Sequence, residues 1–559
     1  MKFQKKPLGI AALSLVAALL VACGGGGTSS ADSLSSNQGS DSPAAGRLAS
    51  SQGSDRQATQ QLASTPIPGY YSTKTPYSPQ QASFSAPPSG FTPVFTQIVA
   101  RHGSRGLSSP KYDLAMYNIW LQAQADGALT ALGQSLGADL MKVIKANALL
   151  GYGVPGIATP GYGNISAAGT EEHKLMATRM RARMSGLFSA AAASAGTANP
   201  RKISVISSGV DRAVDSSEAF VASLANTTAL QSLVDKPPAP APYPQGGTPV
   251  MQPAGTDRFQ LYFHKLVPET DLVTNPADPR YSTYNFSQTY QAWEENPTLE
   301  AKLAEVMALP DAKMHARALL LRLFTAAFVD KIENGTYKFA NTGSYTFTSD
   351  DGMFTTTITG NGKSKVLSVV DAALMLYNTY IILPGMRYEL NNLDFTKYFT
   401  TAQLSFFGYM ADAEEFYKQG PSYESSNGVA KEMATHLLNE FFREVQNVAS
   451  GNISTAAKLR FAHAETLIPF SSKVDVEDAD DVDDDKIYSY SNNPWRGANI
   501  APMAANIQWD VFKNSSGKIL VRQLHNEKEI KFKDSCSNAV YSGKFYDFAK
   551  LKACYGWTP

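Results

Sequence analysis

Short runs of apolar and β-branched residues, each ending at a polar turn, mark the strands of this chain. The run TPVFTQIVA (92–100) has the composition of a buried strand and stops abruptly at Arg101-His102-Gly103. ISVISSG (203–209) has the same character, and further strand-like runs lie at 458–462 and 518–526. Helical patterns separate the first two runs, so the sequence predicts an α/β sheet with helical crossovers.

Apolar residues at spacings of three and four mark the helical regions. In the first part of the chain such patterns cover 112–149, 166–192 and 214–224. A Pro-rich stretch follows at 235–249, and beyond it helical patterns dominate at 297–332, 365–382, 402–418 and 427–449. We therefore expect an α/β core made of residues 89–235 and 450–559, with residues 236–449 forming a mainly helical insertion that caps it.

The N-terminal segment is expected to serve export rather than folding. Three Lys residues precede an apolar run from Leu8 to Ala22, which is too short to span a hydrocarbon core about 30 Å thick. A basic start, an apolar centre and small residues at its end predict a secretory signal peptide over 1–22. Residues 23–88 are rich in Ser, Ala, Gly and Gln with few large apolar residues, so they predict a flexible tether.

The end of the predicted signal peptide, Leu20-Val21-Ala22-Cys23, resembles the lipobox of bacterial lipoproteins. In such proteins the Cys becomes the lipid-modified first residue of the mature chain; an ordinary signal peptide with a stray Cys is the alternative. Acyl chains on Cys23 would anchor the chain without spanning the membrane, at about 0.8 kcal/mol per buried CH₂. No Asp follows in 24–27, which in Gram-negative lipoproteins implies the outer membrane. We expect an exported protein whose only membrane contact is this anchor, at the periplasmic face or the cell surface.

The composition is that of a globular protein without a nucleic-acid partner. Hydrophobic residues make up 43% of the chain and charged residues 18%, so no fibrous or disordered class is indicated. The 49 Lys and Arg residues balance 49 Asp and Glu residues, whereas a nucleic-acid-binding protein usually carries a basic face. A small anionic substrate remains possible, because it needs only a local cluster of cations.

Cysteine use is sparse, with Cys536 and Cys554 the only cysteines besides Cys23. In an oxidising compartment such a pair predicts a disulfide that closes a small loop, with two buried thiols as the alternative. No Cys or His spacing typical of a metal site occurs, so we expect neither metal nor cofactor. The acidic run DVEDADDVDDD (475–485) lacks the ligand pattern of an EF-hand, which favours a solvated loop over a Ca²⁺ site.

Candidate chemistry first appears at the end of the first predicted strand, in the run Arg101-His102-Gly103-Ser104-Arg105. The forked donors of Arg fit phosphate oxygens, often in bidentate fashion. An imidazole can attack phosphorus and hold the phosphoryl group covalently, which divides hydrolysis into two easier steps. Gly103 lets the backbone turn tightly against a ligand. The residue types therefore predict a phosphoryl-transfer site with His102 as the nucleophile.

This run resembles the RHGxRxP signature of the histidine phosphatase superfamily, in the branch that contains acid phosphatases and phytases. That branch also has a late HD or HAE motif, which His463-Ala464-Glu465 supplies in the form typical of multiple inositol polyphosphate phosphatases. The resemblance implies that His463 contacts phosphate and that Glu465 protonates the leaving oxygen, because an alkoxide leaves poorly without a proton. It also implies a phosphoglycerate-mutase-like α/β core with a mainly helical cap.

A third element lies between these two motifs. In ISSGVDRAVDSSEAF (206–220), Arg212 follows a predicted strand, and the segment resembles the one that contributes another pocket Arg in the family. Arg101, Arg105 and Arg212 would then surround the phosphoryl group and stabilise its transition-state charge. The family's Pro after the second Arg is absent, since Gly106 and Leu107 stand there, so we expect the loop entering the site to be shaped differently.

The resemblance implies a phosphomonoester hydrolase that works through a phosphohistidine on a small phosphorylated substrate, preferably an inositol polyphosphate such as phytate. A broad acid phosphatase on sugar or nucleotide phosphates is the alternative enzyme. A surface lipoprotein that binds without catalysis is the alternative from another class, but it predicts damaged motifs, and all of the motif residues above are intact. Outside the motifs, His173 is expected to be structural, and a structural role is favoured for His525 over a place in the pocket floor. Lys111 is left open between a second substrate phosphate and a solvated position.

Overall fold

The computed structural model describes residues 69–238, 253–482 and 486–559, and within them the chain forms thirteen strands. In chain order these are β1 (Thr92–Arg101), β2 (Lys202–Ser207), β3 (Val234–Asp235), β4 (Phe339–Ala340), β5 (Ser344–Thr348), β6 (Thr355–Thr359), β7 (Lys365–Val366), β8 (Thr455–Ala462), β9 (Asn506–Lys513), β10 (Ile519–His525), β11 (Lys528–Ile530), β12 (Val540–Ser542) and β13 (Phe545–Asp547).

Nine of these strands form one sheet in the order β12-β13-β10-β9-β1-β8-β2-β3, with β11 paired to β10. The pairs β1–β8, β8–β2 and β2–β3 are parallel, whereas β9 lies antiparallel to both β1 and β10. The predicted α/β fold class is confirmed. The parallel half places the carboxyl ends of β1, β8 and β2 side by side, which is where open α/β sheets bind ligands.

Helices cover both faces of this sheet. Along β1 the buried side chains alternate: Phe95 and Val99 belong to one hydrophobic cluster, and Ile98 and Ala100 belong to another. That alternation is the period-two pattern of a strand buried on both sides. The longer helices of the core are Tyr112–Ala125, Ala131–Ala148, Ala167–Arg183, Ser185–Ser194, Asp211–Leu224, Ala464–Lys473 and Phe548–Tyr555.

The predicted helical regions exist, but most of them divide into shorter helices. The region 112–149 breaks at Gly127, whose φ of +64° is left-handed, and Thr130 then caps the second helix by accepting a hydrogen bond from Gly133 N. The region 166–192 breaks at Met184. Side-chain periodicity continues across such breaks, so it predicts the helical faces better than it predicts their ends.

The described residues of the range 236–449 contribute no strand to the nine-stranded sheet. Their longer helices are Tyr281–Glu294, Pro297–Met307, Pro310–Leu323, Ala326–Glu333, Val369–Tyr380, Thr401–Lys418 and Thr435–Ala449, joined by two small sheets, β4–β7 and β5–β6, that were not predicted. Among the described residues one segment, Val369–Met386, is long and apolar enough to cross a membrane, but 83% of it is buried inside the protein. The core boundaries at 235 and 450 stay a prediction.

The predicted tether extends too far along the chain. Gly69–Lys74 forms a 3₁₀ helix, and Thr73 and Thr75 are almost fully buried. Tyr77 binds Glu527 through its hydroxyl at 2.9 Å, so order begins before the predicted boundary at 88. Hydrogen bonds to distant residues hold this segment, and a composition argument based on apolar content misses them. Residues 1–68, with the predicted signal peptide and Cys23, lie outside the described residues.

Two predictions about the C-terminal part have different outcomes. Cys536 and Cys554 form the predicted disulfide, with Cα atoms 5.5 Å apart. The acidic run 475–485, of which 475–482 are described, is not the freely solvated loop that was favoured, because Asp480 pairs with Lys431 while Val476 and Ala479 are buried. Within the described residues, no group of three or more His, Cys, Asp or Glu side chains converges as a metal site.

Candidate active site

The parallel strands bring the two motif histidines together. In the register of β1 and β8, Arg101 lies beside Ala462, so His102 and His463 leave neighbouring strands at the same edge. Their rings meet edge to face with centroids 5.5 Å apart. The next strand, β2, ends at Ser207 beside the same edge. The two motifs, far apart in sequence, therefore form one site.

The hydrogen bonds of His102 determine which ring nitrogen can react. Nδ1 lies 2.9 Å from the carbonyl oxygen of Gly103, and because a carbonyl only accepts, the ring proton is on Nδ1. Nε2 therefore carries the lone pair. The backbone N–H of His102 donates to Ala462 O at 2.9 Å, and the residue is only 2% exposed. The imidazole is thus held with Nε2 as its nucleophilic atom.

The surroundings of His102 keep it neutral. Burial lowers the pKa of the imidazole well below its ordinary value, and the positive charges of Arg212, Arg101 and Arg105 lower it further. A neutral imidazole is the form that can attack phosphorus, since protonation removes the lone pair. The same cations that would bind a phosphoryl group therefore also prepare the nucleophile.

Arg101 and Arg105 are buried around the nucleophile. Arg101 Nη1 donates to Thr73 O at 2.5 Å and to Ala501 O at 2.7 Å, so backbone carbonyls orient this guanidinium. Arg105 Nη1 donates to Gly106 O at 2.6 Å. The contact with Thr73 gives the ordered N-terminal segment a role in the site.

Arg212 reaches His463 from the start of the helix Asp211–Leu224. Arg212 Nη2 lies 3.3 Å from His463 Nδ1, and His463 Nε2 lies 2.8 Å from Ser208 Oγ. Because Arg only donates, Nδ1 of His463 accepts and its Nε2–H donates to Ser208. Burial and then Arg212 lower the pKa of His463, so this ring is also neutral. The structure therefore places all three predicted arginines and both histidines at one site.

Glu465 lies in the first turn of the helix Ala464–Lys473 and is 8% exposed. Burial alone would raise the pKa of its carboxyl group, but His264, its own backbone N–H, Arg212 and Arg101 together hold that pKa below its ordinary value. Glu465 is therefore ionised in the empty site. To donate a proton it must first gain one, and the arrival of a doubly charged phosphoryl group favours that uptake.

Glu172 is a site-supporting residue that the sequence did not reveal. Its carboxylate accepts hydrogen bonds from Ser104 N at 2.8 Å, Ser104 Oγ at 2.7 Å and Tyr77 N at 3.0 Å. These bonds tie the RHGSR loop to the N-terminal segment. Gly103 is needed at this loop because a Cβ there would lie 2.5 Å from Gly169 O. No local motif signals Glu172, since its partners lie far away in the sequence.

Tyr262 and His264 form a second feature absent from the sequence prediction. They come from the insertion and pack against the catalytic edge, with the Tyr262 ring 5.2 Å and the His264 ring 6.1 Å from that of His463. Neither residue belongs to a motif. Of the other histidines considered, His173 packs against Phe220 and Phe461, and His525 Nε2 binds Ile500 O at 2.8 Å.

Comparison with known proteins agrees with this geometry. The model of the histidine phosphatase superfamily (branch 2) matches residues 354–526. The multiple inositol polyphosphate phosphatase of Bifidobacterium longum, in complex with inositol hexasulfate, is 31% identical at a TM-score of 0.73, over 87% of this chain and 97% of that one. The phytase of D. castellii, 14% identical with a TM-score of 0.50, covers 89% of this chain and 88% of its own and shares the fold.

No curated protein sequence gives a significant match. The Bifidobacterium phosphatase is nonetheless covered almost completely, and its identity with this chain is high enough to show common descent. The chain therefore belongs to branch 2 of the histidine phosphatase superfamily.

Proposed function

We propose that this protein hydrolyses phosphomonoesters through a phosphohistidine on His102 and that its substrates are inositol polyphosphates such as phytate. The observation that carries the proposal is the neutral His102, with Nδ1 bound to Gly103 O and Nε2 available among three arginines and His463. A nucleophile held among fixed cations suits a dianionic phosphoryl group, whose transfer depends mainly on positioning and charge stabilisation.

The reaction has two steps. Nε2 of His102 attacks phosphorus while the bond from phosphorus to the ester oxygen breaks, and protonated Glu465 gives its proton to that oxygen. The alcohol leaves and His102 carries the phosphoryl group. Glu465, now ionised, then takes a proton from a water molecule as its oxygen attacks phosphorus, which releases inorganic phosphate. His102 and the proton on Glu465 are both restored.

The arginines stabilise the charge that moves during these steps. Arg101, Arg105 and Arg212 present guanidinium groups around Nε2, and such donors bind phosphoryl oxygens through pairs of hydrogen bonds. Because backbone carbonyls hold Arg101 in place, little reorganisation is needed when the substrate binds. Arg212 contacts His463 in the empty site, and we expect both side chains to turn toward the phosphoryl group.

A cationic cavity supports a substrate with several phosphates. The cavity lies beside Arg105, and Lys74 and Lys111 are among its lining residues. Ammonium groups beyond the arginines suit a second phosphate of the same molecule. The similar Bifidobacterium phosphatase was crystallised with inositol hexasulfate, a ring carrying six anionic groups. A broad acid phosphatase acting on sugar or nucleotide phosphates stays the alternative.

A panel of phosphate esters tests the proposal. The purified protein should release phosphate from phytate with a higher kcat/KM than from sugar phosphates, nucleotides or p-nitrophenyl phosphate. Lys111→Met should raise KM for phytate while leaving p-nitrophenyl phosphate nearly unchanged. The matched control is Lys145→Met, since Lys145 pairs with Asp350 outside the cavity. Equal kcat/KM for all esters favours the broad acid phosphatase, and release from none favours a binding protein.

We also propose that the protein is exported and held by a lipid on Cys23. The leader pattern supports this, and so does the disulfide between Cys536 and Cys554, because disulfides persist in oxidising compartments. Labelling with a palmitate analogue should mark the wild type and not Cys23→Ser. Outer-membrane fractions should contain the labelled protein, and an unlabelled wild type would exclude the anchor.

A further inference from the structure

His264 is a buried titratable group to which the reaction above gives no role. It lies in the 3₁₀ turn Phe263–Lys265, is 3% exposed, and packs edge-on against Tyr262 with ring centroids 4.7 Å apart. Its Nδ1 atom is buried and has no hydrogen-bond partner among the described residues. Leaving a polar atom buried and unbonded costs free energy, so such a group calls for an explanation.

The charges around His264 connect it to the proposed acid. Apart from the effect of burial, His264 is the strongest influence on the pKa of Glu465, which it lowers. In return, Glu465 is the largest of the charges that act on His264, and it opposes the lowering of the pKa of His264 by burial. The other charges that act on His264 are the cations Lys265, Arg212 and Arg258.

The remaining titratable groups nearby act on Glu465 or touch the rings. On the side of the helix Tyr281–Glu294, Tyr290 and Glu294 interact with the charge of Glu465. The neutral ring of His463 lies 6.1 Å from the His264 ring on the side of the catalytic edge, and the ring of Tyr262 packs against it from the same segment of the insertion. Among the described residues, Glu465 is thus the carboxyl group with the largest effect on the imidazole of His264.

The backbone around His264 is held against the catalytic helix. Thr466, next to Glu465, donates its hydroxyl to Leu261 O at 3.0 Å. The carboxylate of Asp257 caps the preceding turn by accepting a hydrogen bond from Gln260 N at 3.1 Å. These contacts hold the segment that carries His264 against the helix that carries Glu465.

We propose that His264 is a positioning residue that shares one proton with Glu465 and so keeps this acid loaded for the leaving group. The inference rests on the proposed function, because His264 acts only through Glu465. When the phosphate ester binds, the pair takes one proton from solvent. As the ester bond breaks, the single proton of the pair goes from the carboxyl group of Glu465 to the leaving oxygen; if it rested on His264, it passes to Glu465 first. Both groups are then unprotonated, and Glu465 can take the proton of the attacking water.

This sharing predicts a direction for the pH dependence. In the empty site burial lowers the pKa of His264 to about 4, so the pair holds no proton at neutral pH. A bound dianion favours uptake of a proton, and two coupled basic groups release a shared proton at a higher pH than Glu465 alone would. Removing His264 should therefore move the basic limb of the kcat profile to lower pH.

The test compares kcat against pH for glycerol 2-phosphate, an alkyl ester, and for p-nitrophenyl phosphate, whose leaving group needs no proton. With the alkyl ester, His264→Gln should move the basic limb down by about one pH unit or more, a loss of roughly tenfold per unit above that limb. With p-nitrophenyl phosphate the change should be much smaller. His264→Asn also removes the imidazole and should show the same shift of the basic limb.

Two further variants separate proton sharing from packing. His264→Asp keeps a group that can share a proton with Glu465, as paired carboxylates do, and should restore the limb toward the wild-type pH. His436→Gln removes a partly buried histidine from the helix Thr435–Ala449 and should reproduce the wild-type profile. An unmoved basic limb in folded His264→Gln or His264→Asn, or equal losses on both esters, would overturn the inference.

Failure of this inference can be told apart from failure of the proposed function. If wild type hydrolyses both esters and phosphoenzyme can still be trapped in His264→Gln, only the proton-sharing role is at stake. If wild type releases phosphate from no ester, the proposed function itself is wrong, and the inference falls with it.

Discussion

The reacting groups at the sheet edge directly follow parallel strands, whereas the facing wall of the site is assembled from the separate segments 69–75 and 257–265. At the edge, backbone hydrogen bonds fix the geometry: His102 N donates to Ala462 O, and Ala504 N donates to His102 O. In the wall, side-chain packing and contacts between distant segments fix the geometry. One example is the hydrogen bond that Arg101 donates to Thr73 O.

This difference suggests a division of labour. A strand end gives a side chain a position that depends on the whole sheet, which suits groups that must stay close to phosphorus. Segments outside the sheet can change without disturbing it, which suits groups that adjust proton supply or recognise the rest of a substrate. Substitutions at the edge should therefore slow the bond-breaking steps themselves, and substitutions in the wall should change the pH dependence of the reaction or its choice of ester.

The largest effect is expected at the nucleophile. His102→Ala should lower kcat on every phosphate ester by roughly 10⁴-fold or more, because no other group is placed to accept the phosphoryl group. Steady-state rates with phytate and p-nitrophenyl phosphate measure the loss, and a thermal melt close to that of wild type is the control for folding. Substantial turnover in this variant would remove His102 from the reaction.

The next effect concerns the acid and should depend on the ester. Glu465→Gln should lower kcat/KM on alkyl esters by about 10²–10⁴-fold and on p-nitrophenyl phosphate far less, unless release of phosphate from His102 limits turnover. Burst kinetics show which step limits. Arg212→Ala is the comparison, since it should weaken both esters alike. Equal losses for Glu465→Gln, with phosphoenzyme formation slowed equally, would argue against the acid role.

A smaller effect on activity is expected when the pH is lowered. Protonation of His102 removes its nucleophilic lone pair, and burial with three arginines lowers its pKa well below the ordinary value. The kcat/KM for p-nitrophenyl phosphate, corrected for ionisation of the ester, should therefore persist below the usual histidine range and fall only at lower pH. An acid limb near pH 6.5, the ordinary value for histidine, would contradict the electrostatic environment described for the site.

The smallest effect on activity is expected at the disulfide. Replacing Cys536 and Cys554 together by Ser should leave kcat nearly unchanged, because the clip joins the turn Asp534–Ala539 to the helix Phe548–Tyr555, apart from the site. It should lower the free energy of unfolding by about 3 kcal/mol on the chain-entropy model. Urea titration of the exported protein measures the free energy of unfolding. An unchanged midpoint would show that the disulfide does not stabilise the fold.

The residues at the sheet edge could be predicted from the sequence because they lie in two short motifs. Arg101, His102 and Arg105 lie within one run, and His463 and Glu465 within another, each after a strand-like segment. Parallel pairing of β1 with β8 is then enough to bring the two runs together. Glu172 in the core and His264 in the wall could not be predicted in this way, since they acquire their roles only through partners distant in sequence.

Two further differences between the sequence prediction and the structure also arise from contacts with residues distant in the sequence. Residues 69–77 lack apolar periodicity and are held by hydrogen bonds and aromatic contacts with distant parts of the chain, so composition alone extends the tether too far. The strand β9 was not predicted, because its buried side chains include Gln508 and Asp510. Arg183 and Arg522 neutralise Asp510 at 2.9 and 2.8 Å. The sequence of one strand does not show that a charged residue in it is buried, because the partner charges lie on other elements.

Trapping the phosphoenzyme tests the central claim most directly. Wild type mixed with substrate and quenched in base should yield an acid-labile, base-stable phosphohistidine, which peptide mass spectrometry and ³¹P NMR can locate. Because Nδ1 of His102 donates to Gly103 O, the phosphoryl group should be on Nε2 of His102. Phosphate on another residue or on Nδ1, or rapid turnover with no phosphoenzyme at any quench time, would contradict this mechanism.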